Sequence, residues 1–177
     1  MIRLATSHDI DEITAIYNWI HQSEQDGYLH TGWLPDVYPV RATASDALER
    51  QDLFVCERAG RIAASAIINQ IQVPAYARGQ WSFPAPDEEV MVLHTLTVDP
   101  VLTGQGIGCS FVAFYESYAQ RHGCRVLRLD TNAVNTVAVK MYRKLGYHEA
   151  GVVPCVFNGI PDVHLVLFEK ELPSGQE

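Results

Sequence analysis

The sequence predicts an α/β fold, and three observations carry that reading. A β-rich run, EVMVLHTLTVDP at residues 89–100, passes through a glycine turn into a helical repeat and then into a second β-rich run, RVLRLDT at 125–131. A strand-helix-strand unit of this kind makes its two strands parallel, with a right-handed crossover. Hairpin signals stand on both sides of the unit: DLFVCERAGRIAASAIINQ turns at Ala59-Gly60, and VVPCVF with VHLVLFEKEL turns at Asn158-Gly159.

Taken in order, residues 2–5 can form a short strand. Ser7 or Asp9 can then cap a helix that carries Ile10, Ile13, Ile16, Tyr17 and Ile20 on one face. HQSEQDGYLHTGWLPDVYP, residues 21–39, mixes turn formers with aromatics and has no period, so it reads as loop, followed by a short helix at 41–50. The first hairpin comes next. Residues 71–88 form a long proline-bearing loop of the kind that tends to carry function. Ile107, Phe111, Phe114, Tyr115 and Tyr118 recur at helical spacing and Gly123 stands at the C-terminal cap. After the second parallel strand, Asn132 or Asn135 caps a helix with Ala138, Met141, Tyr142 and Leu145 on one face, stopped at Gly146.

Composition narrows the function classes. The chain has 177 residues, 47% hydrophobic and 19% charged, which suits one globular domain spanning 1–177 with a packed core. Its 13 basic against 21 acidic residues give a net charge of -8, which argues against nucleic acid or an anionic membrane as partner and fits a cationic or neutral small one. Cys56, Cys109, Cys124 and Cys155 are scattered without metal-ligand spacing, so reduced thiols and no metal site are expected. The start, MIRLATSHDIDEI, lacks an apolar core of signal length, and no run approaches a membrane span. A cytoplasmic protein is expected.

The turn LTGQGIGCS places Gly104, Gly106 and Gly108 at alternate positions before a helix. Such glycines allow positive φ and let successive backbone N–H groups face one concavity, a shape that binds phosphate; tight strand-to-helix packing is the alternative. A dinucleotide fold would space its last glycine differently, and a phosphate loop of NTPase type needs Gly-Lys-Ser/Thr, whereas no lysine occurs between residues 62 and 139.

LTVDPVLTGQGIG, a helix, a strand and then NTVAVKMYRKLGYHEAG together resemble the GCN5-related N-acetyltransferases. That family's first motif, Arg/Gln-x-x-Gly-x-Gly/Ala, is met at Gly106 and Gly108, with Thr103 where Arg or Gln is usual. The second, Asn-x-x-Ala-x-x-x-Tyr-x-x-x-Gly-Phe/Tyr, is met at Asn135, Ala138, Tyr142, Gly146 and Tyr147. The resemblance implies a mixed sheet splayed between two parallel strands, with acetyl-CoA as co-substrate and its pantetheine arm in the splay. Leu96, Thr97 and Val98 would offer main-chain groups to the arm, and one of these N–H groups could face the thioester oxygen. Thr103, Gly104, Gln105, Gly106, Ile107, Gly108 and Cys109 would cradle the pyrophosphate at the positive end of the helix dipole. Asn135 and Tyr142, seven residues apart, would lie about 10 Å apart along one helix face and touch the coenzyme at two points. A plain helix cap and a core aromatic are the alternatives for these two.

Acetyl transfer to an amine needs a neutral amine, stabilisation of carbonyl charge and a proton for the thiolate. Tyr142 is the proton donor that the resemblance implies. Among base candidates near the thioester-facing strand, His94 stands first, with Glu88 and Glu89 beside it; His94 shares a face with Val90, Val92, Leu96 and Val98, so a structural histidine is the alternative. Tyr28, Trp33 and Trp81, with His30, Tyr38 and Tyr76, are candidates for the acceptor wall, and Glu89 for attracting a cationic acceptor. The expected activity is acetyl transfer to a primary amine of a small molecule or peptide, with a catalytically silent acyl-CoA-binding or regulatory module as the alternative. A homodimer is compatible with the resemblance.

Overall fold

Residues 1–173 are described by a computed structural model of the protein; the last four residues of the expected 1–177 domain lie outside the described residues. The strands are β1 (Ile2–Leu4), β2 (Leu53–Arg58), β3 (Arg61–Asn69), β4 (Val90–Val98), β5 (Val126–Asn132), β6 (His148–Phe157) and β7 (Ile160–Glu171). The helices are α1 (Ile10–Gln25), α2 (Arg41–Glu49), α3 (Ile107–Arg121) and α4 (Thr136–Lys144). One sheet holds all seven strands in the order β1-β2-β3-β4-β5-β7-β6. Every neighbouring pair is antiparallel except β4 and β5, the two strands that α3 connects.

Apolar alternation sends side chains to both faces of the sheet, and different elements cover each face. Met91, Leu93, Leu127, Leu129 and Phe168 pack with Phe111, Tyr115 and Tyr142, beneath α3 and α4. On the other face α1 and α2 cover Leu53, Val55, Ile62 and Ile67. The 71–88 segment covers the rest of that face, where Tyr76 packs with Val90, Val92, Val126 and Leu165. This segment is fastened down: Gln80 N–H donates to the Ala150 carbonyl at 2.7 Å, and the Ser82 and Phe83 N–H groups donate to the Glu169 carboxylate.

Several local expectations need correction. Neither Ser7 nor Asp9 caps α1 with its side chain. The Asp9 carboxylate instead accepts from Arg3 at 2.8 and 2.9 Å and from the Thr6 N–H at 2.7 Å, and the Arg3 guanidinium lowers its pKa to about 2. Helix α1 runs on to Gln25, into the stretch read as loop, because His21 is buried against the following segment with its Nε2 2.9 Å from the Pro39 carbonyl. His94 does not share one face with all of Val90, Val92, Leu96 and Val98. The β3–β4 register slips between Ser65 and Ile67, and Thr95 has φ of 49°, marking a bulge. Val90 and Val92 lie under the 71–88 segment, whereas Leu96 and Val98 pack on the α3 side. Asn135, and not Asn132, caps α4: its side chain accepts from the Ala138 N–H at 3.1 Å.

Candidate active site

The β4–β5 pairing ends at Leu93 with Leu129. Beyond that point β4 continues along β3 to Val98 and β5 continues along β7 to Asn132, so the two parallel strands part and the sheet forks. Tyr115, from α3, sits at the root of the fork and shares its hydroxyl proton between the Met91 carbonyl at 2.6 Å and the Arg128 carbonyl at 3.0 Å. A cavity of about 920 Å³ opens where the strands separate. Leu96, Thr97 and Val98 line it on β4, and their edge toward β5 has lost its strand partner.

The glycine turn forms one end of the cavity. Gly104 and Gly106 have φ of 82° and 76°, a left-handed region where a Cβ is disfavoured, and the space beside each is open. The first helical bond of α3 runs from Ser110 N–H to the Gly106 carbonyl. The N–H groups of Gly106, Ile107, Gly108 and Cys109 consequently have no partner among the described residues, as the first turn of a helix requires. Gly108 does a different job: a Cβ there would come within 3.3 Å of Met141 Sδ, so its small size lets α3 approach α4. Thr103 and Cys109 also line the cavity, but the exposed Gln105 does not.

Asn135 and Tyr142 of α4 line the same cavity. The Tyr142 ring is buried against Tyr147 and Phe168, with centroids 5.9 and 5.6 Å away. Burial raises the pKa of its phenol, and the nearby Asp130 carboxylate adds to the rise, so the hydroxyl is a neutral donor at ordinary pH.

His94 and Asp130 are the first residues past the last β4–β5 pair, one on each prong of the fork, and both line the cavity. His94 Nε2 lies 2.9 Å from Asn69 Oδ1, and burial pushes its pKa down to about 4. Asp130 accepts a 2.7 Å hydrogen bond from the Tyr76 hydroxyl. Burial raises its pKa to about 7 even though the Tyr76 bond opposes the rise. No expectation from the sequence included Asp130. The available signal was a lone carboxylate closing the buried run RVLRLD, since an acid in such a strand needs a functional or paired environment.

The expected acceptor wall divides. Tyr28, His30, Trp33 and Tyr38 line the cavity; Tyr28 stands at its exposed rim, and the Tyr38 hydroxyl bonds Thr95 Oγ1 at the β4 bulge. Glu24 holds the loop that carries Trp33 by accepting from the Thr31 and Gly32 N–H groups at 2.8 and 2.7 Å. Gly32 has φ of 75°, and a Cβ there would collide with the Asn132 amide, so the loop closes directly on the end of β5. Trp81 and Glu89 do not line the cavity. Trp81 Nε1 donates to the Tyr76 carbonyl at 2.8 Å, and its face is covered by the Arg128 guanidinium at 4.1 Å. Glu89 is paired with Arg125 at 2.5 Å on the outer side of the 71–88 segment.

The family model described as "Acetyltransferase (GNAT) family" matches residues 13–147, which include the fork, the glycine turn and α4. The chain belongs to the GNAT acetyltransferase family. A GNAT-family acetyltransferase structure from Streptococcus agalactiae aligns with a TM-score of 0.79 at 22% identity, covering 98% of this chain and 96% of that one. The yncA protein of Salmonella typhimurium, solved with acetyl-CoA as its cofactor, aligns with a TM-score of 0.69 at 17% identity over 100% of this chain and 96% of its own. These likenesses establish the shared GNAT fold. Among curated relatives, the mycothiol acetyltransferase of Cellulomonas flavigena is 29% identical over 63% of this chain and 33% of its own length. Human N-acetyltransferase 8B is 32% identical over 52% of this chain and 41% of its own. The matched segment thus spans less than half the length of these relatives.

Proposed function

We propose that this GNAT protein transfers the acetyl group of acetyl-CoA to a primary amine by direct attack on the thioester. One observation carries the reading: a single cavity joins unpartnered N–H groups at the start of α3, a free strand edge on β4, the Tyr142 hydroxyl and the Asp130 carboxylate. The chemistry of these groups fits the donor. Four N–H groups at the positive end of a helix dipole suit a pyrophosphate, so a cationic side chain at Thr103 is dispensable. The unpaired edge of β4 suits the amides of a pantetheine arm. The acetyl-CoA bound to yncA and the acetyltransferase names of the relatives support the same donor.

The chain's own residues then divide the proton work. An alkyl ammonium with a pKa of about 10.4 is neutral in only about one molecule in a thousand at pH 7, so a base raises the rate. Asp130, with a pKa of about 7, suits this role better than His94 at about 4, whose imidazole holds a proton too weakly to take one from an ammonium. The proton lost by the amine passes to Asp130, the N–C bond forms as the C–S bond breaks, and the Tyr142 phenol donates to the departing thiolate. Tyr142 belongs to the α3/α4 side of the sheet and Asp130 to the side of Tyr76, so donor and acceptor sites meet through the fork. His94 lines the acceptor side as a neutral imidazole, held by Asn69. A cytoplasmic setting suits the four cysteines, all unbridged.

The test is a panel of primary amines assayed for thiol release from acetyl-CoA, with mass spectrometry of the amine. Equal amounts of thiol and N-acetylated amine are expected. Coenzyme binding without thiol release for any amine would leave the catalytically silent module in its place.

A further inference from the structure

The acceptor side of the cavity has a chemistry of its own. Asp130 uses one carboxylate oxygen to accept from Tyr76; among the described residues no donor reaches the other oxygen, and no lysine or arginine pairs with the group. A carboxylate so placed lacks a cation. One stretch of the lining is apolar, with Ile160, Val163 and Leu165 from β7 and Trp33 from the loop after α1, Trp33 and Tyr38 standing edge to face at 5.9 Å, while His94, Thr95 and Asn132 are its neutral polar members. Tyr38 has already committed its hydroxyl to Thr95, so it offers mainly its ring. Two other charged side chains reach the lining, both from α2 and its end. Arg50 pairs with Asp52 at 2.9 Å, and Asp46 is exposed on α2.

Given acetyl transfer at this site, on which the assignment rests, we infer that the acceptor is a primary amine whose ammonium is its only charge and whose body is apolar. The ammonium sits on Asp130 and the body against Trp33 and Tyr38. An α-amino acid would bring its own carboxylate beside Asp130, with no free cation to receive it. A short diamine would set its second ammonium against the Trp33 and Tyr38 rings without a counter-ion there. A peptide amine would set its backbone amides against the Trp33, Val163 and Leu165 side chains, which offer them no partner, and each such loss discriminates strongly.

The experiment compares 2-phenylethylamine with phenylalanine, with 1,4-diaminobutane and with alanyl-alanine amide as acceptors for the wild-type protein. The expected result is a kcat/KM for 2-phenylethylamine at least 100-fold above each of the others. In addition, calorimetry of 2-phenylethylamine with the coenzyme A-loaded protein should show binding that Asp130→Asn weakens at least tenfold while coenzyme A affinity stays within twofold. Comparable rates with phenylalanine, diaminobutane or the dipeptide amide would overturn the inference, and so would unchanged amine binding in a folded Asp130→Asn protein. The acceptor panel needs no variant, so it stands if Asp130→Asn does not fold. If no amine releases thiol, the acetyltransferase reading fails, and calorimetry of all four compounds with the coenzyme A-loaded protein still decides the amine preference: tightest binding of 2-phenylethylamine supports it and equal binding overturns it.

Discussion

Replacing Tyr142 by Phe removes one hydroxyl from a ring whose packing against Tyr147 and Phe168 the substitution preserves. That hydroxyl has no hydrogen-bond partner among the described residues, and its raised pKa keeps it protonated through the neutral range. No protein bond is therefore lost. The expected change in stability is within about 0.5 kcal/mol, a shift of about 2 °C or less in Tm for a chain of this size. Loss of a general acid is worth about 10²- to 10⁴-fold in rate, or about 3 to 5.5 kcal/mol of barrier. Thiol release at saturating acetyl-CoA should thus fall by at least 100-fold, while calorimetry gives a coenzyme A affinity within a few-fold of wild type. An unchanged kcat would refute the proton-donor role. A fall in kcat matched by a Tm loss of many degrees would show that the hydroxyl serves the fold instead.

The same geometry sets three other expectations. If Asp130 is the base, it works only when ionised, so kcat/KM should fall about tenfold per pH unit below about 7 and level off above; a limb near pH 4 would point to His94 instead. Tyr115→Phe strips the shared proton from the Met91 and Arg128 carbonyls at the root of the fork, so chemical denaturation should show a loss of about 1 to 3 kcal/mol. Asp9 has a folded pKa of about 2, below its ordinary 3.8, so its pairing stabilises the protein above about pH 4 and is lost as pH falls toward 2. Asp9→Asn should remove about 1 to 2 kcal/mol at pH 7, allowing for the partial exposure of Arg3, with a smaller difference at pH 2.

Much of the architecture was legible because single signals had single structural consequences. The run of β-formers, the glycine turn and the helical repeat from Ile107 to Tyr118 admit few arrangements other than a right-handed crossover, and Asn158-Gly159 closes a hairpin as such pairs do. The bulge at Thr95 was not legible, since nothing in VLHTLTV marks a non-glycine residue for positive φ; the face assigned to Leu96 and Val98 was wrong for that reason. At the proposed site, local motifs picked out residues that share one cavity: Gly106, Asn135 and Tyr142 all line it. The Asp130 end of the cavity depends on residues far apart in sequence. Asp130 acquires its character only where β5 leaves β4 and Tyr76 arrives from the 71–88 segment, and the same folding of that segment carries Trp81 onto Arg128 and Glu89 onto Arg125.

Acetyl transfer at the fork requires first of all that the glycine turn hold a coenzyme. Gly106 has φ of 76° beside open space, so a glutamate there would strain the turn and put a carboxylate among the N–H groups of Ile107, Gly108 and Cys109. Calorimetric titration of coenzyme A into the wild-type protein and into Gly106→Glu, with circular dichroism to confirm that both are folded, measures this directly. Saturable one-to-one binding to the wild type and none detectable to the folded variant is the predicted result; equal binding to both would contradict it.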